Sequence, residues 1–434
     1  MVRLFCNSRT GFAPGAILRA IFLASVSVVL MPRSAAGGGF DSPILYTARH
    51  QGMGGTAISY VDEPSAVFHN PAGLQGVHGF SLIGDVSMLF INVTGSPRPR
   101  PSTWSMQSDL NVAPFFLGAV AYRVFDGLTL GLGAFPVAAG GAEYSYVVGG
   151  GASYQRNATN LTFFEVTPAL SLNVPKDAVL PGELAFGIGY RASVVSFQRE
   201  IGDDGQPRNF YLDLSGRNLK GFRAGMQYRP GRAFSIGAVY RNRVTYTSHA
   251  DTGTVLGLSA TDLELPFVLP AQAGGGIRVD AGAFGLASDV VYTFQSQNQR
   301  SDLTGLVAGM PLVIPTVYDW QDAYTLHFGI EYRLGPSEEL PIRLGYVFDG
   351  QVADRRYPTA FGIPPASTNT FSFGGGYTAD SWKLNLALTL SEGSTTISAS
   401  ELDASGACAT CGFEGEYRIS ATGVYIDFST EFGR

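Results

Sequence analysis

Apolar and polar residues alternate along most of this chain with a period of two. The clearest segment runs from Ala323 to Leu334, where bulky residues alternate with small, polar or charged ones. Successive side chains of an extended strand point to opposite faces, so this pattern predicts a strand with one apolar and one polar face. About fourteen such segments predict an all-β chain. They are expected to start near Gly79, Asp109, Gly127, Asn160, Gly182, Arg217, Arg232, Ala271, Gly282, Asp322, Leu340, Thr368, Ser381 and Gly415.

The connections between the predicted strands sort by length. Those after even-numbered strands are short turns, whereas those after odd-numbered strands are long and include Ala138 to Thr159, Glu200 to Gly216 and Ala250 to Pro270. Short periplasmic turns and long extracellular loops are typical of a transmembrane β-barrel. An arginine facing lipid at the bilayer midplane costs about 2–4 kcal/mol, so the charged faces are expected to line the interior. Residues 79–434 are therefore predicted to form an antiparallel barrel in the bacterial outer membrane, as a monomer.

The composition and the first residues agree with an exported membrane protein. Only 15% of the 434 residues are charged and the net charge is -6, so a nucleic-acid partner is not expected. Residues 1–36 have the features of a signal peptide, with positive charge, a short apolar core from Ala20 to Met31 and small residues up to Ala36. A membrane-anchoring helix is the alternative, but the apolar run is short for a span of about 30 Å. The expected partners are outer-membrane lipid, lipopolysaccharide and the barrel-assembly machinery.

Residues 37–78 differ from the rest, because they lack sustained alternation and are rich in small residues. Asp62-Glu63-Pro64 before Ser65 to Phe68 predicts a short capped helix, and Asn70-Pro71 offers a second cap and helix start. The segment has about forty residues and no core of its own. It is therefore predicted to be a plug inside the barrel.

The same residues carry a resemblance to a known family. Gly52 to Ala57 and Asp62 to Leu74 are similar to the amino-terminal hatch of the FadL-type outer-membrane transporters, and the family's Asn-Pro-Ala motif matches Asn70, Pro71 and Ala72. The resemblance implies a fourteen-stranded barrel plugged by the hatch. It also implies passive uptake of long-chain fatty acids, aromatic hydrocarbons such as toluene, or other hydrophobic compounds.

Two later segments extend this resemblance along the chain. Trp320 to Ala323 before an alternating strand, and Ile363 to Pro365 followed by Thr368 to Phe371, are similar to the family's late-barrel pattern. The resemblance implies a kink in the third strand that opens a lateral gap through the wall. The hatch, with Asn70 to Ala72, is expected to rearrange and connect the binding sites with that gap.

The corresponding strand of this chain contains residues that weaken pairing. Pro136 cannot donate a ladder hydrogen bond, and Gly140 and Gly141 follow it. These residues are the expected kink, and a strand that simply ends at its loop is the alternative.

Two outer loops are unusually apolar, and exposed apolar clusters often mark binding surfaces. We expect them to capture cargo, and loops that merely pack on each other are the alternative. A carboxylate cargo could also pair with luminal arginines, although such arginines more often pair with Glu or Asp inside a barrel. The loop candidates are Leu256, Leu258, Phe267, Leu306, Met310, Leu312 and Ile314, and the arginine candidates are Arg191, Arg223, Arg241 and Arg343.

The remaining chemistry is sparse. Cys408 and Cys411 are expected to form a local disulfide in an exported protein, with free thiols as the alternative. His50, His69 and His78 crowd the hatch without a metal-ligand spacing, and ordinary hydrogen bonding is the expected role. No histidine lies in a recognisable nucleophile motif, so neither metal, cofactor nor catalysis is predicted. The competing functions are a general diffusion porin and, less favoured, an outer-membrane barrel enzyme.

Overall fold

The computed structural model describes Gly39 and residues 46–98, 105–148, 153–203 and 209–433. The predicted signal peptide, residues 1–36, lies outside the described residues. No helix in the described part of the chain is long and apolar enough to cross a membrane.

Strands dominate the described residues, and the helices are short. The helices are α1 (Ala48–Gly52), α2 (Ala66–His69) and two 3-10 helices (Pro71–Gly76 and Gln295–Gln297). The strands are β1 (Phe80–Gly95), β2 (Met106–Gln107), β3 (Asn111–Phe125), β4 (Leu128–Val148), β5 (Ser153–Val174), β6 (Glu183–Asp203), β7 (Phe210–Gly231), β8 (Phe234–Arg241), β9 (Val244–Val255), β10 (Leu258–Leu269), β11 (Gln272–Ala281), β12 (Phe284–Thr293), β13 (Leu303–Val307), β14 (Met310–Ile314), β15 (Ala323–Leu334), β16 (Leu340–Asp349), β17 (Thr368–Thr378), β18 (Trp382–Ile397) and β19 (Gly415–Phe432).

These strands form one antiparallel sheet that closes on itself, because β1 pairs with β3 on one side and with β19 on the other. The wall has fourteen strands. Two of them are interrupted and each consists of two consecutive segments. One is β8 with β9, which pair with opposite ends of β7. The other is β10 with β11, which pair with β9 and β8. The closed fourteen-stranded barrel confirms the predicted fold class.

The two faces of the wall differ as the alternation predicts. On β6, the side chains of Phe186 and Ile188 are about half exposed, whereas Arg191 on the opposite face is buried. Arg223 and Arg343 are likewise buried on the inner face of their strands. The outer face is therefore apolar, and the charged side chains line the lumen.

Three predicted loops were wrong, because the strands extend well beyond the bilayer-sized segments. Residues 138–159 belong largely to β4 and β5, residues 200–216 largely to β6 and β7, and residues 250–270 to the β9–β10 hairpin. Pairing continues there because one side of each extension is still buried. Leu212, Leu214 and Leu263, for example, are almost inaccessible to solvent. The chain therefore builds a tall apolar structure on the side of the long connections.

The segment from Tyr46 to His78, called the hatch below, packs inside the barrel. Tyr46, Met53, Val67 and Leu74 are fully buried there. α2 follows the predicted Asp62-Glu63-Pro64 start, and the first 3-10 helix begins directly after Asn70, as its cap predicts.

Candidate functional site

Asn70 joins the hatch to the barrel wall. Its Oδ1 accepts a hydrogen bond from the Ala72 N–H (3.1 Å), which caps the 3-10 helix. Its Nδ2 donates to the carbonyl of Ile58 within the hatch (2.7 Å) and to that of Met226 on β7 (3.0 Å). The Asn-Pro-Ala segment is thus an anchor, because one amide group closes a helix and bonds to the wall.

Glycines in the wall allow the hatch backbone to approach closely. A Cβ at Gly225 would collide with the Asn70 side chain, and one at Gly187 would collide with the backbone of Pro71 and Ala72. Gly329 on β15 adjoins Met53 in the same way. Glycine is needed at such points because it alone brings no side chain. The inward-facing glycines therefore mark where the hatch docks.

Carboxylates on the wall also hold the hatch by its backbone. Asp289 Oδ2 on β12 accepts from the N–H groups of Ala57 (2.7 Å) and Ile58 (2.9 Å). Asp427 Oδ2 on β19 accepts from the Arg49 N–H at 2.9 Å. These bonds involve backbone groups that a plug without regular structure would otherwise leave unpaired.

The hatch contains its own charge cluster. Arg49 Nη1 lies 2.5 Å from Asp62 Oδ1 and 3.3 Å from Glu63 Oε2, and His50 Nε2 lies 3.6 Å from Glu63 Oε1. Burial acts to raise the pKa of both carboxyls, but the Arg49 guanidinium outweighs burial and holds each pKa below its usual range. Burial lowers the pKa of His50 and of His69, so both imidazoles are neutral at pH 7.

All four predicted cargo arginines are buried inside the barrel. Arg191 Nε lies 2.6 Å from Glu165, and Arg223 Nη2 lies 3.3 Å from the same carboxylate. Arg343 Nε lies 2.8 Å from Glu331. The fourth candidate, Arg241, lines a cavity of about 120 Å³ above the hatch. The alternative interpretation of these side chains, pairing within the barrel, thus describes Arg191, Arg223 and Arg343.

The seam between β3 and β4 is only partly paired. Its ladder runs from Phe125 up to Gly118, which pairs with Ala134, and no further β3–β4 pair follows within the described residues. The β4–β5 register shifts between Pro136 and Ala138, and the four residues from Phe135 to Ala138 are all buried instead of alternating. Such a shift is a β-bulge, which bends a strand. β4 therefore turns away from β3 at Pro136.

A cavity of about 710 Å³ lies behind this unpaired part of the seam. Pro136, Gly140 and Gly141, the predicted kink residues, line it together with Val112 and Phe115 of β3. Its volume is in the range of small-molecule pockets, roughly 300–1,000 Å³.

The hatch contacts β4 at the bulge. The Tyr46 hydroxyl donates to the Pro136 carbonyl at 2.5 Å. The Phe68 ring meets the Phe135 ring edge-on, with centroids 5.1 Å apart. The contacts of the hatch with the bulge are thus mainly aromatic.

The predicted capture residues fall into two groups. Phe267 and Ile314 line an apolar cavity of about 110 Å³ in the strand extensions on the side of the long connections. Leu256 and Met310 lie at the tips of the β9–β10 and β13–β14 hairpins and are 82% and 68% exposed. Leu258 is exposed, and Leu306 and Leu312 are half-buried on the same hairpins. The structure therefore brings Phe267 and Ile314 to one cavity and places the other five residues along the hairpins.

A disulfide joins Cys408 to Cys411 beside this smaller cavity. The short loop that it closes is attached to the end of the β13–β14 hairpin, because the Ala409 N–H donates to the Pro315 carbonyl at 3.0 Å. Cys411 itself lines the cavity.

Of the histidines, His50 and His69 contact the backbone carbonyls of Thr56 and Tyr46. No group of three or more metal-ligating side chains occurs in the described part of the chain.

Sequence reasoning missed two parts of this region. One is the connection between β16 and β17, where Val352, Ala353 and Ala366 are buried and which therefore folds into the barrel mouth. The other is Arg199, which lines both cavities. Arg199 follows Arg191 by eight residues in the same strand, so the period of two places both on one face. That signal was present in the sequence, but Arg199 lies at the edge of a segment predicted to be a loop.

Comparisons with known proteins identify the fold independently. Residues 45–432 match the family model described as outer membrane protein transport protein (OMPP1/FadL/TodX). A FadL homologue from Pseudomonas aeruginosa shares 16% identity with a TM-score of 0.66, covering 91% of this chain and 100% of that one. The toluene transporter TodX of Pseudomonas putida shares 16% identity with a TM-score of 0.67 and the same coverage. The toluene transporter TbuX of Ralstonia pickettii shares 16% identity with a TM-score of 0.61, covering 90% and 99%. No curated protein sequence matches the chain.

Proposed function

The chain belongs to the OMPP1/FadL/TodX family of outer-membrane transport proteins, and on this premise we propose that it takes up hydrophobic small molecules across the bacterial outer membrane by passive diffusion. The candidate cargoes are long-chain fatty acids and aromatic hydrocarbons. The family assignment supports transport rather than catalysis. The outward-facing apolar side chains of the closed barrel support a position in a bilayer.

One observation carries the proposal most directly. The β3–β4 ladder stops at Gly118 and Ala134, and a cavity of about 710 Å³ lies directly behind the unpaired stretch. An unpaired seam backed by an empty space is a route for an apolar molecule from the barrel interior into the bilayer. A water-filled pore would instead expose that molecule to solvent.

The proposed route starts at the apolar extracellular extensions and ends at the seam. Cargo is captured among the hairpins, enters the cavity near Phe267 and Ile314, and passes to the larger cavity beside Pro136. The hatch must yield at the bulge to complete the path. We expect movement at its Tyr46 end, because Asn70 is bonded to β7 and packed against Gly225.

Removal of the bulge tests the route. Val137 is the residue by which the β4 register shifts, so deletion of Val137 should restore regular pairing and close the seam. We expect uptake of a radiolabelled fatty acid or of toluene by cells expressing the variant to fall at least tenfold.

Val137→Ala is the matched control, because it shortens the side chain but keeps the extra backbone residue. It should retain most of the uptake. Both variants must show the heat-modifiable electrophoretic migration of a folded barrel. Undiminished uptake by a folded deletion variant would contradict the lateral route, and large steady ion conductance of the wild type would favour a diffusion porin.

A further inference from the structure

Three exposed cations lie on the outer face of the wall, toward the end of the barrel that carries the long connections. Arg217 on β7 pairs with Val194, whose side chain is about half exposed on the outer face of β6. Lys220 lies further along β7, and Arg243 lies between β8 and β9. Lys220 and Arg243 are each followed by a buried residue, so alternation directs both outward. These three exposed residues are called the cationic cluster below.

The wall is irregular where the cationic cluster lies. β8 ends at Arg241 and β9 begins at Val244. The pairing of β7 with these two strands is interrupted between Ser215, which pairs with β9, and Arg223, which pairs with β8. All three cations therefore lie within or directly beside one break in the strand ladder.

Two asparagines hold the backbone at this break. Asn242 Oδ1 accepts from the Phe222 N–H at 2.6 Å, and Asn242 Nδ2 donates to the Lys220 carbonyl at 3.3 Å. Asn218 Oδ1 accepts from the Lys220 N–H at 2.7 Å, and Asn218 Nδ2 donates to the Thr245 carbonyl at 2.7 Å. These bonds satisfy backbone groups that lack a ladder partner. The cationic cluster is thus built on a fixed backbone.

The charges of the cationic cluster are not balanced by carboxylates of the described residues. None of its three side chains lies at ion-pair distance from an acidic side chain in that part of the protein. Arg418, an exposed arginine near the same end of β19, instead contacts Glu392 on β18. Neighbouring like charges repel one another, so a group of cations without acidic partners is stabilised by an anion from outside the chain.

Aromatic side chains border the cationic cluster on the side of the short turns. The rings of Phe222 and Tyr240 lie 5.9 Å apart on the outer face, and each side chain is about 40% exposed. The hydroxyl of Tyr190 donates to the carbonyl of Leu219, between Arg217 and Lys220. Transmembrane barrels carry such aromatic girdles where the hydrocarbon core meets the head groups.

The length of β7 places the cationic cluster at the same level. A transmembrane strand needs roughly 9–11 residues to cross the hydrocarbon core, and about eleven separate Gly231, at the β7–β8 turn, from Lys220. The cationic cluster therefore lies where β7 leaves the hydrocarbon on the side of the long connections. The anions found at that level of a bilayer are the phosphate groups of lipids, and guanidinium groups bind phosphate oxygens in a bidentate manner.

Resting on the position in the outer membrane that the proposed function gives the chain, we propose that the cationic cluster is a binding site for the phosphorylated head group of lipopolysaccharide in the outer leaflet. Arg217 and Arg243 bind phosphate oxygens, and the Lys220 ammonium adds a third charge. Leu219, which is 56% exposed between two of these cations, contacts an acyl chain. Three cations fit a lipid with several phosphates better than one with a single phosphate.

Removal of the phosphates and of the charges tests this proposal. The purified full chain in detergent is titrated with lipid A, the phosphorylated anchor of lipopolysaccharide, and with dephosphorylated lipid A, and binding is followed by native mass spectrometry. The triple variant Arg217→Gln, Lys220→Gln, Arg243→Gln should bind lipid A at least tenfold more weakly, because each cation near an anionic lipid adds to the attraction. Wild type and variant should bind dephosphorylated lipid A equally weakly.

The matched control is Arg232→Gln, which removes an exposed cation at the β7–β8 turn, at the opposite end of the same strands. It should bind lipid A like the wild type. All variants must show the heat-modifiable migration of a folded barrel. Unchanged lipid A binding by the triple variant, an equal loss for both lipids, or wild-type binding that ignores the phosphates would each overturn the proposal.

This inference and the proposed function fail in distinguishable ways. The cationic cluster lines neither of the two cavities on the cargo route, so the triple variant should take up cargo like the wild type. Wild-type cells that take up no hydrophobic cargo overturn the proposed function, whereas a folded triple variant that keeps full lipid A binding overturns this inference alone.

Discussion

The hatch meets the barrel wall in two different ways. At β7, β12 and β19, polar groups of fixed geometry hold it: Asn70 bonds to the Met226 carbonyl, Asp289 accepts from two hatch N–H groups, and Asp427 accepts from a third. At β4 the contacts are mostly apolar, with the rings of Tyr46 and Phe68 against Phe135.

This difference indicates which side of the hatch can yield. A hydrogen bond is lost steeply as its geometry changes, whereas apolar contacts are non-directional and can be re-formed in a new arrangement. We therefore expect the polar side to determine the position of the hatch and the aromatic side to yield to a passing molecule. The bulge at Pro136 lies on that yielding side.

The largest expected effect comes from removing the best polar anchor. Asp289→Ala leaves two buried N–H groups of the hatch without an acceptor, at a cost of about 1–3 kcal/mol each. The hatch should leave its docked position, and ion conductance in planar bilayers should rise at least tenfold. Asp289→Asn keeps an oxygen acceptor, so its ion conductance should stay close to that of the wild type. If Asp289→Ala conducts no more ions than the wild type, the polar side is not what holds the hatch.

A smaller effect is expected on the yielding side. Tyr46→Phe removes only the hydrogen bond to the Pro136 carbonyl, worth about 0.5–1.5 kcal/mol, and keeps the ring contacts. Uptake of cargo should therefore become about two- to tenfold faster in cell assays, without a matching rise in ion conductance. Tyr122→Phe on the outer face, where the tyrosine is exposed, serves as control. Slower uptake by Tyr46→Phe would show that this bond assists passage.

The smallest expected effect is that of pH. His50 and His69 have a lowered pKa when docked, so an undocked hatch binds more protons below the ordinary imidazole value of about 6.5, and docking weakens as the pH falls. Asp62 and Glu63 add to this below about pH 4, because their docked pKa is also lowered and the stabilisation they give above that pH is lost.

Conductance should accordingly be modestly higher at pH 5 than at pH 8 at constant ionic strength. A His69→Asn variant keeps a donor for the Tyr46 carbonyl and should flatten part of this change. Conductance that decreases on acidification would contradict the sign of the argument.

Local pattern was sufficient for much of this architecture. The alternation around Ala323 to Leu334 predicts the inner and outer faces of β15, and Asn70-Pro71 predicts the 3-10 helix that follows. Both predictions rest on residues that are close together in sequence, so a short stretch of the chain contains all the residues that each prediction needs. The predicted strand starts at Asn160, Arg217 and Ala271 lie after the starts of β5, β7 and β10, because pairing continues into the segments predicted to be loops.

The chemistry of the candidate site depended on partners that are remote in sequence. Asp427 holds the Arg49 N–H across 378 residues, and Glu165 pairs with Arg191 from the neighbouring strand. An alternating pattern predicts that an arginine faces inward but does not identify the carboxylate opposite it. That is why the sequence nominates Arg191, Arg223, Arg241 and Arg343 for a cargo but does not show that Glu165 and Glu331 pair with three of them.

The sequence by itself thus determined a β-barrel chain with a non-strand segment ahead of the barrel, because strand periodicity, turn residues and helix caps are properties of short stretches. Only the tertiary structure decided where the wall is left unpaired, which glycines receive the hatch and which carboxylates pair with the inward-facing arginines. Those features arise when closure of the barrel sets the register between strands, and register brings together residues that no local pattern relates.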